Sequence, residues 1–300
     1  MAPSPMRSIA IIGAGNIGSG FAVFLARAGH RVTLIARPGS ARLQQLQRDG
    51  GIKTKDGEVF KMECSEALNE EEPYDFVFVT VLAHQVDVLL PTLRRSKALI
   101  IEFMFNVFNP ERIKAEMGDR PCVFGMPLLL AKIDENGVLD ARLHPEKTLH
   151  GDRTCVDLFN DAGIPSAYEE KIFLWLRCNA PVCFAIEGVC FTAEQHKSGA
   201  TWSESMMAAR ALHAGLDIVK HLGFEVYPIS KRRLHSCPAW LLGVVFWAMT
   251  RWTSFRQLLA SASNECVAIS EAMVGDAAAS GVSQFLLDAL KKVTPKAQNK

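Results

Sequence analysis

The chain has 300 residues, of which 49% are hydrophobic, and its formal net charge is +1. This length suits two domains or one large one, and the apolar content is enough for a sizeable core. The near-neutral charge gives no electrostatic reason to expect binding to nucleic acid or to an anionic membrane. Eight cysteines occur without a metal-type C-x-x-C pair, and no secretory signal precedes them. We therefore expect reduced thiols in a cytoplasmic protein without a bound metal.

The first predicted element is an apolar strand at residues 9–12, and a glycine motif separates it from an amphipathic helix. The motif reads Gly13-Ala14-Gly15-Asn16-Ile17-Gly18. Gly13 allows a tight turn, Gly15 lets the backbone approach a pyrophosphate, and Gly18 lets the helix pack close to the strand. The helix N-terminus presents N–H groups to the phosphates. The motif therefore predicts dinucleotide binding; the alternative is a glycine-rich turn that has lost its ligand.

The second predicted strand, residues 31–36, ends on Arg37. An NAD site usually has an acidic residue at this point for the ribose 2′-OH, whereas a guanidinium suits a 2′-phosphate. The sequence therefore favours NADP as the cofactor, with Arg37 as its ligand. In the alternative interpretation Arg37 is a solvated residue at the strand end, and Arg42 or no residue binds the phosphate.

Strands and helices continue to alternate through the first half of the chain. The predicted elements are a helix at 40–48, a hairpin at 52–60, a strand at 75–81, a helix at 85–93, a strand at 98–103, a helix at 110–117, a strand at 123–126 and a sheet extension at 128–143. This alternation predicts an α/β fold with a Rossmann-type doubly wound parallel sheet. The N-terminal NADP-binding domain is assigned to residues 1–166.

The pattern changes after a predicted helix at 157–162, because no strand pattern is found from Glu169 onward. Helical periodicity occurs instead at 172–186, 203–222, 240–252, 255–280 and 283–293. Residues 167–300 are therefore predicted to form an all-helical domain for substrate binding and dimerisation. The apolar stretch Ala239–Met249 is too short to span a bilayer and is read as a buried helix.

Several further motifs, taken with this order of elements, carry a family resemblance. They are the strand at 75–81 leading into Ala83-His84-Gln85, Asn106 on the loop after the next strand, Asn179 in the helix after Trp175, Thr253, Asn264-Glu265-Cys266 and Gly281-Val282. Over nearly its whole length the chain resembles the ketopantoate reductase family. The resemblance implies hydride transfer from NADPH to a 2-keto acid or a related carbonyl or imine, in a homodimer.

The resemblance also implies which residues form the site. Leu82 and Asn106 join the glycine motif and Arg37 at the cofactor. The residues implied for catalysis are Glu265, Arg177, Asn106 and Asn179, and those implied for substrate binding are Asn179, Cys183, Thr253 and Glu265. From the residue types alone, Glu265 could instead be a helix-surface acid, Asn106 a turn former, and Thr253 a helix cap.

The chain departs from the family where the family carries lysines. The catalytic lysine falls on Arg177 when the alignment is anchored on the tryptophan, and on Trp175 when it is anchored on Asn179. A second family lysine is replaced by Leu82, and a second asparagine by Cys183. Arg177 stays protonated, so it suits clamping a carboxylate better than donating a proton; the alternative is an arginine on the helix surface.

These departures leave two hypotheses of different classes. In the first, the chain is an NADP-dependent reductase with altered specificity, which the retained Glu265, Asn106 and Asn179 favour. In the second, it is a nucleotide-binding sensor or scaffold without turnover, which the missing lysines favour.

Overall fold

The computed structural model describes residues 5–260, 263–279, 288 and 290–294. The chain divides into two compact units. The first contains Met1–Phe105 and Glu111–Ile172, and the second contains Asn106–Pro110 and Phe173–Lys300. The assignment of functions to two domains made from the sequence stays a prediction.

The first unit contains an eight-stranded sheet covered by helices. Eight strands of this unit form the large sheet, and the other four pair as β3 with β4 and β9 with β10. The strands are β1 (Ser8–Ile12), β2 (Arg31–Ile35), β3 (Gly51–Lys53), β4 (Val59–Lys61), β5 (Glu63–Ser65), β6 (Phe76–Val79), β7 (Ile100–Met104), β8 (Val123–Met126), β9 (Leu129–Ile133), β10 (Leu139–Leu143), β11 (Thr148–His150) and β12 (Ser166–Tyr168). The helices along this stretch are α1 (Asn16–Arg27), α2 (Ala41–Asp49), α3 (Leu90–Arg95), α4 (Pro110–Met117) and α5 (Arg153–Asp161).

The strand order in the large sheet is β12-β11-β8-β7-β6-β1-β2-β5. Every pairing is parallel except that of β11 with β8. The order reverses at β1, as in doubly wound folds, so ligands are expected beyond the carboxyl ends of the central strands. The fold class predicted from the sequence is confirmed.

The central strands are buried because helices cover both faces of a parallel sheet. All four residues of β6 are buried. Phe78 of β6 lies edge-on to Phe159 of α5, with ring centroids 5.0 Å apart, and Phe21 of α1 contacts the same ring at 4.9 Å. These aromatic contacts join α1 and α5 to the sheet, which fixes the position of the loop that precedes α1.

Two predicted elements of this unit are corrected by the structure. Residues 128–143 form a separate hairpin, β9 with β10, and not an extension of the large sheet. The hairpin packs on α1, where a Cβ at Gly20 would meet Leu129 Cδ2 at 2.4 Å. The helix expected at 85–93 is a 3-10 turn at Ala83–Gln85 followed by α3. Pro91 suits the first turn of α3 but would clash inside a longer helix.

The second unit is helical in its described residues, as predicted. Its helices are α6 (Ile172–His196), α7 (Trp202–His221), α8 (Ile229–Ser236), α9 (Ala239–Met249), α10 (Thr253–Ala260) and α11 (Ser263–Ala279). The helix expected at 255–280 is two helices, and α6 runs ten residues beyond its predicted end at 186. The sequence did not predict α8, which is short and has one buried residue, Lys231. The helix predicted at 283–293 lies largely outside the described residues.

The core of the second unit is formed by aliphatic and small side chains from α6, α7, α9 and α11. Phe184, Leu212, Leu216 and Met273 are buried in one cluster. Among the described residues, α6 is the one helix long and apolar enough to cross a membrane, and its most apolar window has a mean hydropathy of 1.4. Since 61% of that window is buried within the protein, α6 also meets the description of a core helix.

Candidate functional site

The loop between β1 and α1 has a conformation that requires glycine. Gly13 has a φ of +114°, and a Cβ there would lie 2.9 Å from Thr80 Oγ1. A Cβ at Gly18 would lie 1.9 Å from the carbonyl oxygen of Gly13. The turn and the close helix contact expected of these two glycines are therefore both present.

The N-terminus of α1 faces open space. Gly15 is the N-cap, makes no side-chain capping hydrogen bond, and has no atom within 4 Å of an added Cβ. The first amides of the helix, at Asn16 and Ile17, therefore lie where a phosphate could bind. The Asn16 side chain has another role, because its Oδ1 accepts a hydrogen bond from Ile133 N at 3.0 Å. Asn16 thus ties the β9–β10 hairpin to the glycine loop.

Thr80 is a site residue that sequence reasoning missed. Its hydroxyl donates to the carbonyl oxygens of Ile12 and Gly13, at 3.1 and 3.0 Å, and thereby fixes the glycine loop to the end of β6. A hydroxyl directly after a fully buried strand was the available signal. Leu82, two residues further on, is half-buried, and its backbone N donates to Gln85 Oε1 at 3.2 Å. Its role at the cofactor stays a prediction.

Two arginines near the end of β2 have different environments. Arg42 Nε donates to Ala14 O at 3.2 Å, and its NH2 donates to Ser19 Oγ at 3.1 Å. Burial lowers the pKa of Arg42. Its N–H groups donate hydrogen bonds to the glycine loop and to Gly137 O in the turn between β9 and β10. Arg37 is exposed, and in the part of the chain that the structure describes no hydrogen bond or ion pair engages its guanidinium. Arg37 is therefore the arginine available to a ligand.

Asn106, which belongs to the second unit, has a buried side chain without partners. It is 3% exposed, and neither its Oδ1 nor its Nδ2 has a hydrogen-bond partner among the described residues. An amide buried in this way costs free energy unless a ligand or water completes its bonds. The Asn106 side chain therefore offers one donor, Nδ2, and one acceptor, Oδ1, to a polar group such as a carboxamide or a carboxylate.

Three polar side chains form a stripe on α6. Asn179, Cys183 and Glu187 are spaced by four residues and so share one face of the helix. Asn179 Nδ2 donates to Cys183 Sγ at 3.1 Å. At the other end of the stripe, the Cys266 thiol of α11 donates to Glu187 Oε2 at 3.4 Å. Sequence reasoning missed Glu187, although its spacing from Cys183 was a usable signal.

Glu187 of the stripe and Glu265 of α11 form an acid pair with raised pKa values. Burial raises the pKa of Glu265 to about 7. Burial also raises the pKa of Glu187 well above its ordinary value, and the neighbouring charge of Glu265 raises it further. Two carboxylates in such a site cannot both ionise easily, so the pair retains a proton near neutral pH. A protonated carboxyl can donate a hydrogen bond to a substrate oxygen.

A buried cation lies beside the same stripe. Lys231 of α8 is 6% exposed, and its Nζ donates to Trp175 O at 3.1 Å. The same Nζ is 3.3 Å from the centre of the Trp175 ring, in a cation–π contact. Burial raises the pKa of the Cys183 thiol, as do Glu187 and Glu265, whereas Lys231 lowers it. The thiol is thus within electrostatic reach of both acids and of the ammonium.

The remaining predicted residues lie in different surroundings. Arg177 is buried, with its guanidinium carbon 4.2 Å from the Phe224 ring centre and 5.4 Å from that of Phe108. It is not an arginine on the helix surface, and it points about 200° around α6 from Asn179. Thr253 is exposed at the first residue of α10. The roles predicted for both residues stay predictions, and Gly281-Val282 lies outside the described residues.

The first unit holds a second buried polar cluster. Glu102 and His150 are fully buried, and His150 Nδ1 lies 3.0 and 2.9 Å from the two carboxylate oxygens. His150 Nε2 is 3.3 Å from Ser166 Oγ, whose hydroxyl donates to Ile164 O at 3.0 Å. Both ring nitrogens of His150 thus have a hydrogen-bonding partner, Glu102 at Nδ1 and Ser166 at Nε2. Cys155 lies beside this pair.

The fold and the glycine loop define a dinucleotide-binding protein of the Rossmann type. The family described as ketopantoate reductase PanE/ApbA matches residues 9–152. Over that stretch the chain matches the ketopantoate reductase family, and the resemblance drawn from its motifs is confirmed. The family match and the glycine loop indicate an oxidoreductase of the nicotinamide-dinucleotide type.

Solved structures extend the similarity of fold to nearly the whole chain. D-mandelate dehydrogenase with NADH is 20% identical, with 96% of this chain and 97% of that chain covered and a TM-score of 0.69. Its ternary structure with NADH and anilino(oxo)acetate is 18% identical, covers 95% and 96%, and has a TM-score of 0.72. A dimeric ketopantoate reductase from Staphylococcus aureus is 16% identical, covers 95% and 97%, and has a TM-score of 0.69. No curated protein matches the chain.

Proposed function

We propose that this protein is an NADP-dependent reductase of a 2-keto acid or a related carbonyl or imine. When bound, the nicotinamide supplies a hydride. The protein then has to hold the acceptor, exclude water, and provide a proton for the oxygen or nitrogen that gains negative charge. The observation that carries the proposal is the glycine loop fixed by Thr80, with an uncapped helix N-terminus and an unpartnered Arg37.

The choice of NADP rests on the two arginines. Arg42 is bonded to Ala14 and Ser19, so it supports the shape of the loop. Arg37 follows β2 with its guanidinium exposed, at the position where a dinucleotide fold meets the adenosine ribose. A guanidinium can bond a phosphate bidentately, which favours the 2′-phosphate of NADP over a free hydroxyl.

The acceptor is proposed to bind to polar groups of the second unit. The unpartnered amide of Asn106 suits a carboxamide or carboxylate, and Asn179 with Cys183 offers further polar contacts on α6. Burial raises the pKa of Glu265 to about 7, so its carboxyl can carry a proton and donate a hydrogen bond to a substrate oxygen. The D-mandelate dehydrogenase of similar fold has been solved with anilino(oxo)acetate, a 2-oxo acid derivative.

We propose a cytoplasmic homodimer. All eight cysteines are free thiols, as expected in a reducing compartment. The dimeric state of the Staphylococcus aureus relative supports the oligomer. On α9, Trp240 is 59% exposed and Val245 50%, which offers apolar surface for a second copy. Light scattering on a size-exclusion column gives the mass; a monomer at 50–100 µM, roughly the range where weak dimers form, contradicts this part of the proposal.

Two measurements test the reductase. Fluorescence titration with NADPH and NADH gives binding, and absorbance at the nicotinamide band gives turnover with a panel of 2-keto acids and imines. Tight binding of NADPH with oxidation by at least one acceptor supports the proposal. Tight binding without oxidation by any acceptor favours the sensor or scaffold hypothesis. That hypothesis is motivated by Trp175 or Arg177 standing where the family has its catalytic lysine. No binding of either nucleotide at millimolar concentration contradicts both.

A further inference from the structure

The inference starts from the burial of Lys231. Lys231 is the one buried lysine among the described residues, with 6% of its surface exposed. Burying an ammonium is costly unless nearby groups compensate it. The compensation comes from Trp175, through its carbonyl oxygen at 3.1 Å and its ring at 3.3 Å from Nζ. The chain thus maintains a buried cation against α6.

The surroundings of Lys231 contain the polar groups of the α6 stripe. Trp175, which holds the ammonium, is one turn before Asn179 and two turns before Cys183 on the same helix face. Several charged and titratable groups interact electrostatically with Nζ or with the stripe. They are Arg177, Cys178, Cys183 and Glu187 of α6, Glu225 before α8, and Glu265 of α11. Cys183, Glu187 and Glu265 each keep part of their surface exposed, although burial raises the pKa of all three groups.

We propose that Lys231 is the catalytic acid of the reduction, an inference that rests on the proposed function. As the hydride adds to the acceptor carbon, the electron pair of the C=O or C=N double bond moves to oxygen or nitrogen. An N–H bond of Lys231 then breaks, an O–H or N–H bond forms on the product, and the neutral amine regains a proton from water. Carbonyl, reduced nicotinamide and one proton give alcohol and oxidised nicotinamide, so atoms and charge balance.

Lys231 suits this step better than the other candidates. An ammonium supplies both positive charge and a proton, and lysine loses its proton more readily than arginine. Arg177 is permanently charged and lies between two aromatic rings. A neutral Glu265 carboxyl can donate a hydrogen bond to the acceptor oxygen, but it brings no positive charge to the developing oxyanion. We therefore assign acceptor binding to Glu265 and proton donation to Lys231.

The first test uses Lys231→Met, which keeps the length of the side chain without its charge, and Lys231→Arg, which keeps the charge. Loss of a general acid reduces kcat by about 10²- to 10⁴-fold. We expect both variants to show a loss of that size while the Kd for NADPH changes less than about threefold. Lys220→Met, at an exposed lysine of α7, is the matched control and should keep the wild-type kcat. Ethylamine added to Lys231→Ala should restore part of the lost turnover.

The second test does not depend on turnover. Oxamate is an unreactive mimic of a 2-keto acid, and calorimetry measures its binding to the complex with NADP. We expect Lys231→Met to weaken oxamate at least tenfold and Lys220→Met to leave it unchanged. A lysine that only supports the fold would lower the melting temperature without selectively weakening oxamate.

The outcomes separate this inference from the proposed function. If the wild type reduces an acceptor and Lys231→Met keeps kcat within threefold, Lys231 is not the acid. If Lys231→Met does not fold, Lys231→Arg decides by the same criterion. If none of the tested acceptors supports NADPH oxidation by the wild type, the proposed function fails. The oxamate measurement then shows whether Lys231 contacts a bound acid. Equal oxamate affinity in wild type and Lys231→Met overturns that contact.

Discussion

Each unit holds a carboxylate cluster, fully buried in the first unit and partly exposed in the second, and the clusters differ in the partners of their carboxyl groups. In the first unit, Glu102 is paired with His150, which is bonded in turn to Ser166. In the second unit, burial raises the pKa of both Glu187 and Glu265, the charge of Glu265 raises that of Glu187 further, and the Cys266 thiol is a weak donor to Glu187. In the first arrangement the carboxylate has a partner on the His150 ring, whereas the second brings together two acids whose pKa values are raised.

The difference separates a cluster whose bonding suits a stabilising role from one whose perturbed acids suit chemistry. A fully bonded buried pair loses stability when either member is removed, and offers no group to a ligand. A pair of acids with raised pKa values costs stability near neutral pH, and such perturbed pairs are typical of functional sites. The same contrast separates Arg42 from Arg37, since the first is bonded on the loop and the second has no described partner.

The largest effect is expected from breaking the satisfied cluster. His150→Ala should lower the free energy of unfolding by about 3–5 kcal/mol, because it leaves the Glu102 carboxylate buried and unpaired. Urea unfolding measures the change. His196→Ala is the control, because His196 pairs with Glu204 at 2.8 Å on the surface, and such pairs contribute about 1 kcal/mol at most. Equal losses in the two variants would show that the buried pair has no special stabilising role.

The acid pair should make stability depend on pH in the opposite sense from an ordinary salt bridge. A carboxyl with a raised pKa in the folded state binds its proton more tightly there than in the unfolded chain. Its contribution is therefore fully present below the unfolded pKa of about 4.5, and is lost as pH rises to about 7, the folded pKa of Glu265. Each pKa unit is worth about 1.4 kcal/mol, so the expected loss is on the order of a few kcal/mol.

Glu265→Gln tests this origin. Unfolding free energies measured from pH 4.5 to 8 should fall with pH in the wild type and much less in the variant. Glu187→Gln should give a similar flattening, because burial and the charge of Glu265 raise the pKa of Glu187 in the folded state. Glu271→Gln, at an exposed position on α11, is the control. A variant profile with the wild-type slope would assign the pH dependence to other groups.

The contrast between the arginines predicts a change in cofactor preference. Arg37→Glu should weaken NADPH by roughly 10- to 100-fold, the equivalent of about 1.4–2.8 kcal/mol, and should weaken NADH much less. Arg42→Met should instead weaken both nucleotides and lower stability, because it removes the bonds to Ala14 and Ser19. Fluorescence titrations give the affinities. Equal weakening of NADPH and NADH by Arg37→Glu would exclude a role at the 2′-phosphate.

The smallest effect on stability is expected at Asn106. Asn106→Leu removes a buried amide without partners and keeps a similar volume, so the unfolding free energy should change by less than about 1 kcal/mol, or should rise. Turnover or oxamate affinity should nevertheless fall at least tenfold. Thermal unfolding beside calorimetry separates the two effects. A large loss of stability with unchanged ligand binding would make Asn106 a structural residue.

Local patterns were sufficient for much of the fold. The glycine spacing predicted the loop between β1 and α1, and apolar periodicity predicted the helical second half. The short strands β11 and β12 were missed, because three residues carry too little periodicity to identify a strand. The helix predicted at 172–186 runs through Pro181, as α6 does, but α6 continues to His196, where buried side chains such as Val189 and Ala193 pack in the core.

The candidate site was less accessible to sequence reasoning. Glu265 and Asn106 were proposed through a family resemblance, but their burial and bonding depend on residues distant in the chain. Glu187 and Lys231 were missed for the same reason, because α6, α8 and α11 meet through contacts that no local pattern encodes.

The sequence by itself determined the dinucleotide loop, the alternation of strands and helices, and the change to helices in the second half, because turn chemistry and apolar periodicity are local properties. The tertiary structure decided which charged groups have a hydrogen-bonding or ion-pair partner and which described groups have none. Burial and hydrogen bonding depend on side chains brought together from separate elements, as Glu102 is with His150 and Lys231 is with Trp175.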